Sequence, residues 1–461
     1  MGTIHIIGGG LAGSEAAWQC LRAGLKVRLY EMRPFKMTAA HQSGDLAELV
    51  CSNSLKSTLP DSAPGLLKAE MERLDSLIIR EAKIASVPAG MALAVERTLF
   101  SKGVLTALES FLNFERINAE ITSLPSAEEL EKSGDVWIVA SGPLTSDGLA
   151  EALQAMAPEG RRLHFYDAIA PVLEMDSIDT NIAFKQSRYD EGQEGDYWNL
   201  PLNKDEYYAF VDAVIAAEKM PLHEFEEVKY FEACLPIEVM IERGRETLRF
   251  GPMKPVGLTD PRTGRWPYAA VQLRLENKQE SMVSMVGFQT KMKWPEQKRV
   301  LQMIPGLKDV EFFRFGSVHR NTYLKSPDVL QGDLSFKVSP RIFLAGQIAG
   351  VEGYTESAAL GLLAGRAAAA KALGQSFVMP PPECMIGALK HYVTEGGLGD
   401  FQPMNTNLGL LPTVPKKRGQ SKIERKAEQA GLARETFAQY QDINLKNMST
   451  YETQADLTAR G

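Results

Sequence analysis

The chain opens on a short β-branched run, Thr3 to Ile7, followed at once by GGGLAG at 8–13. From Gly13 onward, small or apolar residues recur at Ala16, Ala17, Cys20 and Leu21. That spacing puts them on one face of a helix, and Gly24 is a helix stop. LKVRLY at 25–30 then reads as a second strand. The same alternation of strand and small-residue turn returns in DVWIVASGP, 135–143. It returns again in RIFLAGQIAGVEGYTESAALGLLAGRAAAA, 341–370, as strand, glycine-rich loop and long helix starting near Gly353 to Thr355. Between these parts the pattern changes. Residues 191–210 are polar and aromatic, with a helix predicted over Asp205–Lys219. Ile237, Val239 and Ile241 alternate with polar or flexible residues, as a half-buried strand does. Residues 248–277 read as strand pieces broken by Gly and Pro, and no internal repeat is visible. The expected fold is α/β: a Rossmann-like dinucleotide-binding domain with a parallel sheet, interrupted by a mainly antiparallel α+β insertion. The expected divisions are 1–180, 181–295 and 296–461, the last returning to the first domain and ending in a basic helical tail.

The first loop carries the sharpest chemistry. Gly8, Gly10 and Gly13 stand in GxGxxG spacing, between a strand and a helix that begins at Leu11 and Ala12. The first glycine makes the tight turn, the second lets the backbone approach a pyrophosphate, and the third lets helix and strand pack closely. The helix N-terminus offers free N–H groups to phosphates. Glu31 ends the second strand, where its carboxylate would accept from ribose hydroxyls and disfavour a 2′-phosphate. FAD or NAD therefore fits better than NADP at this site. A methyltransferase using S-adenosylmethionine shares a glycine loop followed by an acid. The second loop, with Gly346, Gly353 and Tyr354, favours an extended FAD held in two parts. The positive end of the second helix would face negative charge on a reduced flavin ring.

Composition narrows the class. In 461 residues, 44% hydrophobic and 24% charged, the chain is ordinary for a soluble globular protein. No apolar run approaches the ~18 residues of a membrane span, and the first residues do not resemble a signal peptide. A net charge of −7 requires any nucleic-acid contact to rest on a local patch. One such patch is 416–426, KKRGQSKIERK, read as the start of a basic amphipathic end helix; a solvated helix face is an equal reading. The four cysteines, Cys20, Cys51, Cys234 and Cys384, form no CxxC pair and no zinc pattern. Free thiols in a cytoplasmic protein, with no metal and no membrane association, are expected. Cys20 reads as core packing. Cys51 sits in a polar stretch, ELVCSNSLKS, which is unusual for a thiol.

Taken together, HIIGGGLAGSEAA, LVCSNSLKS, YFEACLPIEVM, GFQTKMKWPEQKRV, HRNTY and LAGQIAGVEGYTESAA resemble the folate- and FAD-dependent tRNA (uracil-5-)-methyltransferases. The similarity keeps its order over nearly the whole chain and is weakest around 120–135 and in the last ~40 residues. The two cysteine segments and GFQTKMKW carry most of its specificity. The resemblance implies that a one-carbon unit passes from 5,10-methylenetetrahydrofolate, by way of the flavin, to C5 of a uridine in the T-loop of the tRNA T-arm. Reduced FAD supplies the hydride, and NADPH or NADH restores it. It implies that Cys234 attacks uracil C6 and that Cys51 is a second functional thiol, as proton acceptor or as guard of the flavin. It places His319 on the folate ring, and Tyr354 lies beside the flavin or simply packs. Lys291 and Lys293 would meet the folate tail or RNA phosphates. The chemistry suits a thiolate, because uracil C5 becomes nucleophilic only after addition at C6. Glu232 and Glu238, near Cys234, oppose thiolate formation. Either Arg243, Arg245 or Arg249 offsets them, or a glutamate takes the thiol proton. The alternatives are the same chemistry on ribosomal RNA, a longer flavoprotein family that modifies the wobble uridine, and an NAD(P)H-dependent flavin oxidoreductase without RNA.

Overall fold

The computed structural model describes residues 2–38, 40–156, 163–188, 195–220, 235–277, 279–396 and 401–458. Side chains at 163–169, 317–321 and 443–458 lie outside the description, as does the whole segment 221–234 with Cys234.

Strand Ile4–Ile7 is fully buried, as its apolar sequence demands for the centre of a sheet covered on both faces. It pairs in parallel with Val27–Tyr30 on one side and Val136–Val139 on the other. Phe114–Ile117 and Ser339–Leu344 extend the sheet in parallel, and Ser335–Phe336 closes one edge antiparallel. Helix Leu11–Arg22 leaves the first strand through the glycine loop, and Gly24, at φ +78°, follows its end. The long helix Tyr354–Ala372 packs directly on it. Their backbones touch because both faces are built of small residues. A Cβ on Gly361 would lie 2.2 Å from the Ala12 carbonyl oxygen, and one on Gly365 would lie 2.8 Å from Ala16. The Ala- and Gly-rich composition of this helix is thus a packing requirement.

A second six-stranded sheet is antiparallel throughout. Its order is Phe184–Lys185, Tyr197–Leu202, Ala269–Leu275, Met282–Met285, Val172–Glu174 and Phe312–Arg314. It has its own apolar core, running from Leu173 to Val310 and including Phe210, Val271 and Phe288. The sheet therefore takes strands from beyond both ends of 181–295. The predicted helix is present as Lys204–Ala216, begun by an Asn203/Glu206 capping box. The segment read as a strand at Ile237, Val239 and Ile241 is instead helix Ile237–Glu242. Ile237 and Ile241, four apart, are both buried and share a helical face, while Val239 is only half-buried. An i, i+2, i+4 series contains the helical pair i, i+4, and Pro236 at the N-cap favours the helix. A two-stranded ribbon, Leu163–Ile169 with Ser317–Tyr323, carries His319 opposite Asp167. The chain ends in helix Lys422–Thr458, whose first residues belong to the basic stretch.

Candidate active site

A cavity lies at the C-terminal ends of the parallel strands. Both glycine loops meet there: Gly8, Gly10, Leu11 and Ala12 from the first, Gly346 and Tyr354 from the second. Ala140, Ser141 and Gly142, from the turn after Val136–Val139, form a third wall.

The three motif glycines stand in three different settings. Gly8 has φ +102°, and a Cβ there would lie 2.4 Å from the Ala140 carbonyl oxygen. Around Gly10, nothing approaches a Cβ within 4 Å, so its backbone faces open space in the cavity. A Cβ on Gly13 would lie 1.8 Å from the Gly8 carbonyl oxygen. Gly10→Val is therefore expected to displace FAD while leaving the thermal midpoint of the flavin-free protein nearly unchanged. Gly13→Ala is expected to lower the midpoint by several degrees whether or not flavin is bound. Flavin content and a melting curve on each variant check this pair.

Glu31 borders the cavity and is buried. Its Oε2 accepts from Gly9 N–H at 2.9 Å and Arg33 Nη2 at 3.0 Å, and its Oε1 accepts from Arg33 Nε at 3.0 Å. Arg33, which the sequence reading did not single out, also pairs with Glu48 at 3.0 Å. Burial by itself raises the Glu31 carboxyl. The Arg33 hydrogen bonds and charge, with the Gly9 N–H, outweigh burial and hold it below the usual glutamate range. Such a carboxylate contributes stability above its unfolded pKa, and the contribution is lost as pH falls through the lowered folded value. Arg33→Met breaks a buried pair and should cost about 3–5 kcal/mol near neutral pH. The gap in melting temperature from the parent should narrow below about pH 4.5; a gap independent of pH would contradict the pairing.

Cys51 is half-buried and held from two directions. The Tyr354 hydroxyl accepts from the Cys51 N–H at 2.7 Å and the Ser52 N–H at 3.1 Å. Arg314 Nη1 donates to the Val50 carbonyl at 2.8 Å, and its Nη2 to that of Cys51 at 3.4 Å. Arg97 donates to the Leu49 carbonyl and pairs with Glu276 at 2.7 Å. Lys56 ties the same loop to the first turn of the long helix, through Glu356 at 2.8 Å. Tyr354 thus both lines the cavity and fixes the thiol-bearing backbone, and burial raises its phenol. At Gly353, φ is +116°, and a Cβ would lie 2.3 Å from Glu356 Oε2. A side chain there would strike the ion pair.

Residues 48–50 form a partition. Val50 borders the first cavity, and Leu49 borders a second cleft; Glu48 borders both. Arg97, Glu276, Phe313 and Arg314 also line the second cleft.

Cys234 itself lies outside the described residues, but its neighbours are placed. Ile237 N–H donates to the Gln289 carbonyl at 2.8 Å, and Met220 N–H to that of Lys291 at 2.7 Å. Both ends of the segment carrying Cys234 are therefore fastened to 289–291. Glu238 is buried and accepts at Oε1 from Thr290 Oγ1 and Lys291 N–H; Oε2 has no partner. Burial raises its carboxyl. Arg245 pairs with Asp212, and Arg249 with Glu246. Lys291 and Lys293 pair with Glu242 and Glu218. The ring of His319 is outside the described side chains; its strand is anchored to the first cavity by Thr322 N–H on the Pro143 carbonyl, 2.8 Å. Cys20 and Cys384 are buried, away from both cavities. Among the described residues no group of three or more His, Cys, Asp or Glu is arranged to hold a metal, and no helix is long and apolar enough to cross a membrane.

The parallel sheet, the GxGxxG turn and the second glycine loop converging on one cavity define a flavoprotein of the two-part FAD-binding kind. Comparisons agree. A family model described as "GIDA: Glucose inhibited division protein A" matches residues 3–376. The form II crystal structure of Aquifex aeolicus GidA has a TM-score of 0.67 at 15% identity, covering 98% of this chain and 77% of that one. A protein of Desulfotalea psychrophila named methylenetetrahydrofolate–tRNA-(uracil-5-)-methyltransferase TrmFO is 51% identical, over 95% of this chain and 97% of the relative. A Geobacter sulfurreducens protein of the same name is 50% identical, over 95% and 98%. The chain belongs to the TrmFO family of methylenetetrahydrofolate–tRNA-(uracil-5-)-methyltransferases.

Proposed function

We propose that this protein methylates C5 of a uridine in tRNA, taking the one-carbon unit from 5,10-methylenetetrahydrofolate, and that its target is the T-loop uridine. The observation that carries this reading is the placement of Cys51: its backbone is pinned by Tyr354, a residue of the flavin cavity, and it directly follows residues 48–50, which border that cavity and a second cleft. Near-full-length similarity to relatives bearing the TrmFO name supports it.

The open backbone at Gly10 and the two converging loops fit FAD. Bound there, FAD supplies the carrier and the reducing hydride for the one-carbon unit. The protein's own groups then have defined tasks. The Cys234 thiolate adds to uracil C6, which makes C5 nucleophilic. Glu238, with an unpartnered buried oxygen and a raised carboxyl, is the nearby group suited to take the Cys234 proton. Cys51 removes the C5 proton once the new carbon bond has formed, while Tyr354 and Arg314 fix its backbone. The antiparallel unit faces substrate, His319 meets the folate ring, and the basic stretch 416–426 contacts RNA phosphates. The reductant is NADPH or NADH, and the protein acts in the cytoplasm. An unmodified tRNA transcript, with methylenetetrahydrofolate and NADPH, should yield 5-methyluridine in its T-loop by nuclease mapping and mass spectrometry. A transcript with cytidine at that position should yield none. Product at another uridine, or only in ribosomal RNA, would overturn the assignment.

A further inference from the structure

Three aromatic rings form a column that starts on the edge strand Phe312–Arg314 of the antiparallel sheet. Phe312 and Phe315 stack with centroids 4.6 Å apart and planes 16° apart; Phe315 and Trp294 follow at 5.8 Å and 15°. The inner two rings are half-buried, whereas the terminal ring, Trp294, is 55% exposed. The surroundings of Trp294 are polar: Lys293 and Lys298 are exposed, Lys293 pairs with Glu218, and Glu296 pairs with Arg299. An open π-face with charged neighbours matches a planar polar ring better than a hydrophobic protein patch, which would need contiguous apolar surface.

The column also stands in a particular place. Arg314, between Phe312 and Phe315 in sequence, reaches the carbonyls of Val50 and Cys51. At the other end, the residues just before Trp294 hold both flanks of 221–234. Lys293 N–H donates to the Glu218 carbonyl at 2.9 Å, alongside the Met220 and Ile237 bonds described above. Arg314, on the strand that carries Phe312, thus reaches the Cys51 loop, while residues 289–293, just before Trp294, fasten the flanks of the Cys234 segment.

We infer that Trp294, backed by Phe315 and Phe312, is a stacking platform for an unpaired base of the RNA substrate adjacent to the target uridine. The inference rests on the tRNA reading above. A uridine that leaves its stack to reach a cavity leaves neighbouring bases with an uncovered face. Proteins that bind single-stranded or looped RNA cover such faces with aromatic side chains, each worth about 1–3 kcal/mol per base. The preceding rings hold Trp294 in orientation, so little side-chain entropy is lost when a base arrives.

The test uses the FAD-loaded full chain and a T-arm RNA hairpin. Binding should quench tryptophan emission in the parent, and Trp294→Phe should remove most of that quenching. Trp294→Leu should raise the KM for RNA about 5- to 150-fold, with Trp294→Phe in between. FAD content and the KM for methylenetetrahydrofolate should stay at parental values. Trp266→Leu, at another exposed tryptophan, should leave RNA binding unchanged. Unchanged RNA affinity in Trp294→Leu, or a change confined to the folate KM, would overturn the inference alone. A parent protein that neither binds nor methylates the hairpin or intact tRNA would overturn the underlying reading as well.

Discussion

Cys234→Ala is expected to abolish methyl transfer to tRNA, by about 10³-fold or more, while the protein stays yellow with FAD. Without a nucleophile at C6, uracil C5 has no means of attacking an electrophilic carbon. Among the described residues, the flavin cavity is built from the two glycine loops and the turn after Val136–Val139. Absorbance at the flavin bands and a single-turnover methylation assay separate the two properties. A colourless variant would make the cysteine structural, and a yellow variant with parental turnover would remove it from the chemistry.

Cys51→Ala is expected to lose about 10²- to 10⁴-fold in methylation, the range associated with a positioned proton acceptor. Uracil addition by Cys234 should persist, so RNA trapped covalently on the protein should accumulate and be visible as a shifted band on a denaturing gel. Loss of the adduct together with turnover would place Cys51 earlier in the reaction. Tyr354→Phe supplies the geometric control. It keeps the ring but leaves the Cys51 and Ser52 amides without their acceptor, at a cost of about 1–3 kcal/mol. Its turnover should fall by roughly 5- to 150-fold, with FAD retained.

What the sequence disclosed, and what it withheld, follows from how local each signal is. The glycine loop, the strands beside it and the start of the second helix were legible because backbone demands act at fixed short spacings. Gly8 and Gly13 have no room for a side chain, and Gly10 faces open space. Arg33, Arg97 and Arg314 were not singled out, because an arginine has no spacing rule. Arg97 and Arg314 acquire meaning only when the fold brings them to Leu49 and Val50, and Arg33, two residues from Glu31, only when the turn after the second strand folds its side chain back onto that carboxylate. Arg245 and Arg249, which charge alone nominated as partners for the Cys234 region, are committed to Asp212 and Glu246. The misread helix at Ile237–Glu242 has a different cause: a six-residue apolar alternation satisfies both periods, and tertiary packing chose between them. The two strands that the antiparallel sheet takes from outside 181–295, Val172–Glu174 and Phe312–Arg314, are three residues each, too short to announce themselves.

The methyl carbon is expected to come from folate through a flavin and not from S-adenosylmethionine. The most direct measurement incubates the FAD-loaded protein with unmodified tRNA, NADPH and carbon-labelled 5,10-methylenetetrahydrofolate, beside a parallel reaction with labelled S-adenosylmethionine. Label in 5-methyluridine from the folate reaction alone is the predicted result. Label from S-adenosylmethionine alone, or from neither donor, would contradict the account.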